Sequence, residues 1–117
     1  MSEAVSWDLM LAVKDGQLES LRELMDEMVA ATTNEPGALV YEWFISGDGT
    51  AVHIYERYAD SDAVLIHLGS FANFADRFFG AVDPTGFFVY GEPSDTAAEA
   101  LTGAGAQIMG RFGGFAR

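Results

Sequence analysis

Two runs rich in β-branched and aromatic residues, Ala38–Ile45 and Ala51–Tyr58, flank a short segment containing Asp48-Gly49, and this unit constrains the fold more than any other stretch. Asp48-Gly49 suits a two-residue type I′ turn with positive φ, so a β-hairpin is expected. If that pair is the loop, Gly47 faces Thr50. Stepping outward then pairs Ile45 with Val52, Trp43 with Ile54, Tyr41 with Glu56 and Leu39 with Tyr58 on one face. The opposite face holds Val40, Glu42, Phe44, His53, Tyr55 and Arg57.

The remaining elements assemble around this hairpin. Residues 7–13 form a short apolar run with an interior Asp8, stopped by Asp15-Gly16, and read as a first strand. Leu18, Leu21, Met25 and Met28 then recur at helical spacing opposite Glu19, Arg22, Glu23 and Asp26, which predicts an amphipathic helix with Asp15 as its cap. Residues 32–37, with Pro36 and Gly37, end it. After the hairpin, Asp60-Ser61-Asp62 supplies cap residues. Val64, His67, Leu68, Phe71, Ala75 and Phe78 share one face of a second helix, with a break expected near Gly69-Ser70.

Residues 80–86, with Asp83-Pro84, read as a turn, and Phe87, Phe88, Val89 and Tyr90 as a fourth strand. The order β-α-β-β-α-β predicts an α+β, ferredoxin-like fold: a four-stranded antiparallel sheet with both helices on one face. Beyond it, Pro93-Ser94 opens an alanine-rich helix in which Thr96 and Glu99 have capping-box spacing. Gly103-Ala104-Gly105 closes it, and residues 106–109 offer a fifth, edge strand. Phe112 and Phe115 are expected to anchor the glycine-rich end on this or a neighbouring subunit. The chain thus reads as a single domain, 1–117, with 93–117 as an extension. The open sheet face, with Val40, Phe44 and Tyr55, is too apolar for water, so a homodimer packed sheet to sheet is expected, with Glu42, His53 and Arg57 pairing at the interface.

Composition narrows the function classes. A formal charge of −12 repels phosphate backbones and anionic lipid heads, which argues against nucleic-acid and membrane partners. No run approaches the roughly 20 apolar residues of a membrane span, and the start Met1-Ser2-Glu3-Ala4 is unlike a secretory signal. With no cysteine, disulfides and thiolate chemistry are excluded, and a cytoplasmic location is expected. Two histidines without H-x-H or H-E-x-x-H spacing make no metal site. Gly103-Ala104-Gly105 follows a helix, not a strand, so it is no phosphate cradle, and no serine sits in a nucleophile elbow.

The site expected from this arrangement lies between hairpin and second helix. There Tyr41, Trp43, Glu56 and Tyr58 look toward His67 and Phe71. A base beside an aromatic hydroxyl withdraws its proton, and the electron-rich anion can react with oxygen directly, so no flavin or metal is required. His67 is the first candidate base, because an imidazole titrates near pH 6.5, and Glu56 the second.

The order of elements, the hairpin from Tyr41 to Tyr58, and the stretch Glu56-Arg57-Tyr58-Ala59-Asp60-Ser61-Asp62-Ala63 followed by His67 resemble the antibiotic biosynthesis monooxygenase family. The resemblance covers about residues 6–92. It implies a dimeric α+β barrel of ferredoxin-like subunits, in a family that includes quinol monooxygenases, cofactor-free oxygenases of polycyclic aromatics and haem-degrading enzymes. Tyr58 stands where many relatives carry tryptophan, and the asparagine, tryptophan and histidine set of the haem-degrading branch does not map onto this chain, so haem binding is not carried over. The expectation is a cofactor-independent monooxygenase acting on a small quinol or polyketide-type aromatic. The alternatives are a non-catalytic dimeric small-molecule-binding protein, or a cofactorless isomerase or lyase on the same fold.

Overall fold

The computed structural model describes residues 3–117. Strand β1 (Val5–Val13) leads to helix α1 (Leu18–Thr33), the hairpin β2 (Ala38–Ile45) and β3 (Ala51–Tyr58), and helices α2 (Ser61–Phe71) and α3 (Ala75–Ala81). Strand β4 (Val82–Tyr90), helix α4 (Asp95–Gly103) and strand β5 (Gln107–Met109) complete the chain. The sheet order is β2-β3-β1-β4-β5. Its first four strands are antiparallel, as the ferredoxin-like reading requires, and β5 adds a parallel edge beside β4, making the sheet mixed.

The hairpin register follows the alternation: Ile45 pairs with Val52, Trp43 with Ile54 and Tyr41 with Glu56. It departs at the far end, where a bulge between Ala38 and Val40 pairs Ala38 with Tyr58 and leaves Leu39 exposed instead of opposite Tyr58. The turn also differs from the expected type I′. Gly49 alone has positive φ, +74°, and its N–H bonds Ser46 O at 3.0 Å. Asp48 is held out of the positive-φ region by its own side chain, which accepts bonds from the Ser46 hydroxyl (2.7 Å), the Thr50 N–H (3.0 Å) and the Thr50 hydroxyl (2.7 Å). Those donors, the Ser46 hydroxyl first, pull the Asp48 carboxyl down to a pKa of about 2.

Other boundaries shift for local reasons. Gly16 at φ +74° adds a residue to the turn, so α1 starts after Gln17 and Asp15 does not cap it. Asp60 does cap α2, accepting from Ala63 N at 2.9 Å, but the helix runs through Gly69-Ser70 and breaks at Ala72–Phe74. Strand β1 starts at Val5, ahead of Trp7, and β4 takes in Asp83-Pro84 because a bulge opposite Met10 and Leu11 accommodates the proline, which has no N–H to offer. Ser94, not Thr96, caps α4, accepting from Ala97 N at 3.2 Å.

The helix-covered face of the sheet holds two apolar clusters. The first gathers Leu11, Leu21, Leu24, Met28, Val52, Ile54 and Phe78; the second gathers Val5, Trp7, Tyr58, Val64, Val89, Ala97 and Leu101. The polar side chains of Glu56 and His67 are buried between hairpin and α2. Gly37 clamps this region, since a Cβ there would lie 2.5 Å from Ala63 Cβ at the start of α2, and its carbonyl accepts from Ala59 N. Gly37→Ala is therefore expected to cost about 1–3 kcal/mol by forcing loop and helix apart, read as a lowered urea midpoint.

Phe112 and Phe115, expected to anchor the tail, do not do so on this subunit: Phe112 is fully exposed and Phe115 largely so, with Arg117 over the Phe115 ring. On the open sheet face His53 Nδ1 lies 3.8 Å from Asp8 Oδ1. No helix among the described residues is long and apolar enough to cross a membrane.

Candidate functional site

A cavity of about 350 Å³ opens between the sheet and the helices, in the size range of small-molecule pockets and far above ordinary packing voids. Trp7, Ile54 and Phe87 from the sheet, and Leu68, Phe71 and Phe78 from α2 and α3, supply most of its apolar wall. Glu56 and His67 are its only ionisable carboxylate and imidazole, with Tyr41 beside them and Ala104-Gly105 after α4 on its rim.

Strand parity and helix register bring the polar groups together. On β3 the alternate residues Ile54, Glu56 and Tyr58 face the helices, and the Asp60 cap fixes α2 so that Val64 and His67 face the sheet. His67 is 5% and Glu56 4% exposed, values at which an unpaired charge would be prohibitive. The imidazole is paired on both sides. Its Nδ1 lies 3.1 and 3.2 Å from the two carboxylate oxygens of Glu35, and its Nε2 lies 3.1 Å from Glu56 Oε1. Glu56 Oε1 also accepts from the Tyr58 hydroxyl at 2.6 Å. Ring contacts brace the group: His67 sits 4.9 Å from Tyr58 and 5.6 Å from Tyr41, and Tyr58 leans on Trp7 at 4.8 Å.

Burial is the largest influence on His67 and opposes its charge, yet the carboxylates of Glu56 and Glu35 together outweigh it and raise its pKa above the ordinary imidazole value. Burial first, and then the Glu56 charge, push the hydroxyls of Tyr41 and Tyr58 well above the usual phenol range. Both tyrosines therefore stay protonated, and Tyr58 donates its hydroxyl proton to Glu56. Because the folded-state pKa of His67 is raised, its contribution to stability is complete below the unfolded value near 6.5 and is lost as pH climbs through the folded value. Thermal melts from pH 6 upward should show the wild type losing stability relative to a His67→Gln variant, and a constant difference would refute the assignment.

Of the residues singled out from sequence, the structure brings Glu56, His67, Tyr41 and Phe71 to the cavity. Tyr58 stands behind the wall, reaching the site through its bond to Glu56. Trp43 does not reach it: its ring packs on Phe78 and Tyr41, and it borders a separate surface groove with Leu21 and Met25. Glu35 and Trp7 were not anticipated. Glu35 lies in the aperiodic segment after α1, where only Pro36-Gly37 marks a constrained loop, and Trp7 joins the site through β1–β3 pairing opposite Glu56.

Known proteins give a consistent picture. No curated protein matches the chain in sequence. MupZ from Pseudomonas fluorescens superposes with a TM-score of 0.84 at 21% identity, over 100% of this chain and 91% of that one. Rv0793 from Mycobacterium tuberculosis gives 0.68 at 26% identity, covering 79% of this chain and 96% of the other. SnoaB, a cofactor-independent oxygenase from Streptomyces nogalater, gives 0.68 at 14% identity, with 80% and 96% covered. Residues 7–79 match the family described as antibiotic biosynthesis monooxygenase, and the chain belongs to that family.

Proposed function

We propose that this protein is a monooxygenase-type enzyme that needs no cofactor and oxidises a small quinol, phenol or polyketide-type aromatic held in the cavity. The observation that carries this reading is a buried imidazole gripped by two carboxylates at the wall of an otherwise ring-lined cavity. An imidazolium engaged at both nitrogens has no lone pair to offer, so the base is Glu56, and His67 is the cation beside it. When a substrate hydroxyl gives its proton to Glu56, one negative charge moves from the carboxylate to the substrate oxygen, and His67 stabilises it there. The anion then reacts with dioxygen. For a quinol the quinol itself is the reductant: one oxygen atom enters the ring, the other leaves as water, and a hydroxyquinone results. Tyr58 holds Glu56 in place, while Tyr41 and Phe71 position the ring and Trp43 backs Tyr41.

The working unit in this reading is a homodimer joined through the open sheet face, where Phe44 is 53% and Tyr90 40% exposed, and Phe112 and Phe115 find their cover on the partner. Family membership and the oxygenase named among the structural neighbours support the reaction class. Aerobic incubation with a panel of reduced quinols tests it: one dioxygen consumed per hydroxyquinone formed is expected, and bound quinol without oxygen uptake overturns it. One observation favours a second reading. A proton donor, His67, and an acceptor, Glu56, face the same cavity, which is also what a cofactorless isomerase or lyase requires, and such an enzyme would turn over without consuming oxygen.

A further inference from the structure

The charges around the cavity do not balance, and the imbalance selects the ligand. Two carboxylates, Glu35 and Glu56, flank one imidazole, so the inner end carries a net negative charge even with His67 protonated. Among the described residues no cation compensates it, because none of the six Lys and Arg side chains lines the cavity and the remaining wall is apolar apart from Tyr41 and Thr85. The protein as a whole adds to the same sign, at −12. From this geometry we infer that the cavity takes substrates that are uncharged as they enter and rejects those carrying a carboxylate, sulfonate or phosphate on the ring system.

The inference deepens the proposed function by naming its substrate class, and it rests on that reading only for the aromatic ring. Coulomb repulsion from a carboxylate as buried as Glu56 is strong at a separation of a few ångströms, whereas between groups at the open surface it would be screened. A neutral hydroxyl avoids it, since proton transfer to Glu56 redistributes the existing negative charge without adding a second. An entering anion brings a second charge with no cation to meet it. Glu35 adds to the repulsion through space without touching the ligand, because it pairs with Nδ1, the ring nitrogen turned away from Glu56, and does not line the cavity.

The test is equilibrium binding, independent of turnover, at pH 7 by calorimetry. The probes are 1-naphthol, methyl 1-hydroxy-2-naphthoate and 1-hydroxy-2-naphthoate, of which the last two share the ring and its substitution pattern and differ in charge and by one methyl group. The ester is expected to bind at least about tenfold more tightly than the acid, and Glu35→Gln should narrow that ratio at least about threefold by removing one of the two carboxylates. Equal affinities for ester and acid in the wild type would overturn the inference, as would a ratio unmoved in folded Glu35→Gln protein. The pair 1-octanol and octanoate repeats the contrast without a ring. If the naphthalene compounds fail to bind while octanol binds and octanoate does not, the aromatic reading falls and the charge selection stands; if octanoate binds as well as octanol, the charge selection falls.

Discussion

Replacing Glu56 by glutamine should lower quinol turnover by about 10²- to 10⁴-fold, the range that a positioned general base contributes. The substitution is chosen because the geometry tolerates it. Glu56 Oε1 receives both the Tyr58 hydroxyl and the His67 contact, and an amide oxygen can receive both, so the side chain keeps its place while losing its basicity. His67 retains Glu35 as a counterion, 3.1 Å from Nδ1, and is not left as an unpaired buried cation. The melting temperature should therefore shift by a few degrees at most while the rate collapses. An initial rate within about threefold of wild type in a folded variant would remove Glu56 from the chemistry.

His67→Ala acts on stability before it acts on chemistry, and is expected to cost about 3–5 kcal/mol. Removing the ring strands two carboxylates, of which Glu56 is 4% exposed, with no cation between them, and it empties the space that Tyr58 and Tyr41 now pack against. Against a total stability of about 5–15 kcal/mol for a domain this size, such a loss leaves a marginal protein. Inactivity of that variant would therefore not by itself identify a catalytic role. The double variant Glu35→Gln, His67→Ala separates the effects, because it removes one stranded charge. It should be more stable in urea than the sum of the two single changes allows, and strict additivity would show that Glu35 and His67 are not coupled.

Much of this site was legible in the chain before any coordinates, for physical reasons that also mark where reading fails. The hairpin places Tyr41 opposite Glu56 because strand parity is fixed by burying one face, and the Asp60 cap and helical spacing aim His67 back at that face. The turn departs from type I′ with no consequence for the register beside it, since Asp48's hydrogen bonds alter the loop conformation and not the pairing of Ile45 with Val52. Glu35 escaped because a loop residue has no period to read, and its closeness to His67 depends on Gly37 packing against Ala63 across the fold. Trp7 escaped because its place beside the site is set by pairing between strands distant in sequence. Trp43 has the right parity, but parity says nothing about position along the strand, and Trp43 lies closer to the hairpin tip, over Phe78, than Tyr41 does.

The protonation state of His67 bears most directly on this account, because the choice of Glu56 as base follows from a cation held between two carboxylates. The chain has two histidines, so a His53→Gln protein labelled with ¹⁵N presents one imidazole to NMR titration. Two protonated ring nitrogens at pH 7, with the charge retained as pH rises beyond about 6.5, are predicted. A neutral ring at pH 7 with one bare nitrogen would contradict the account.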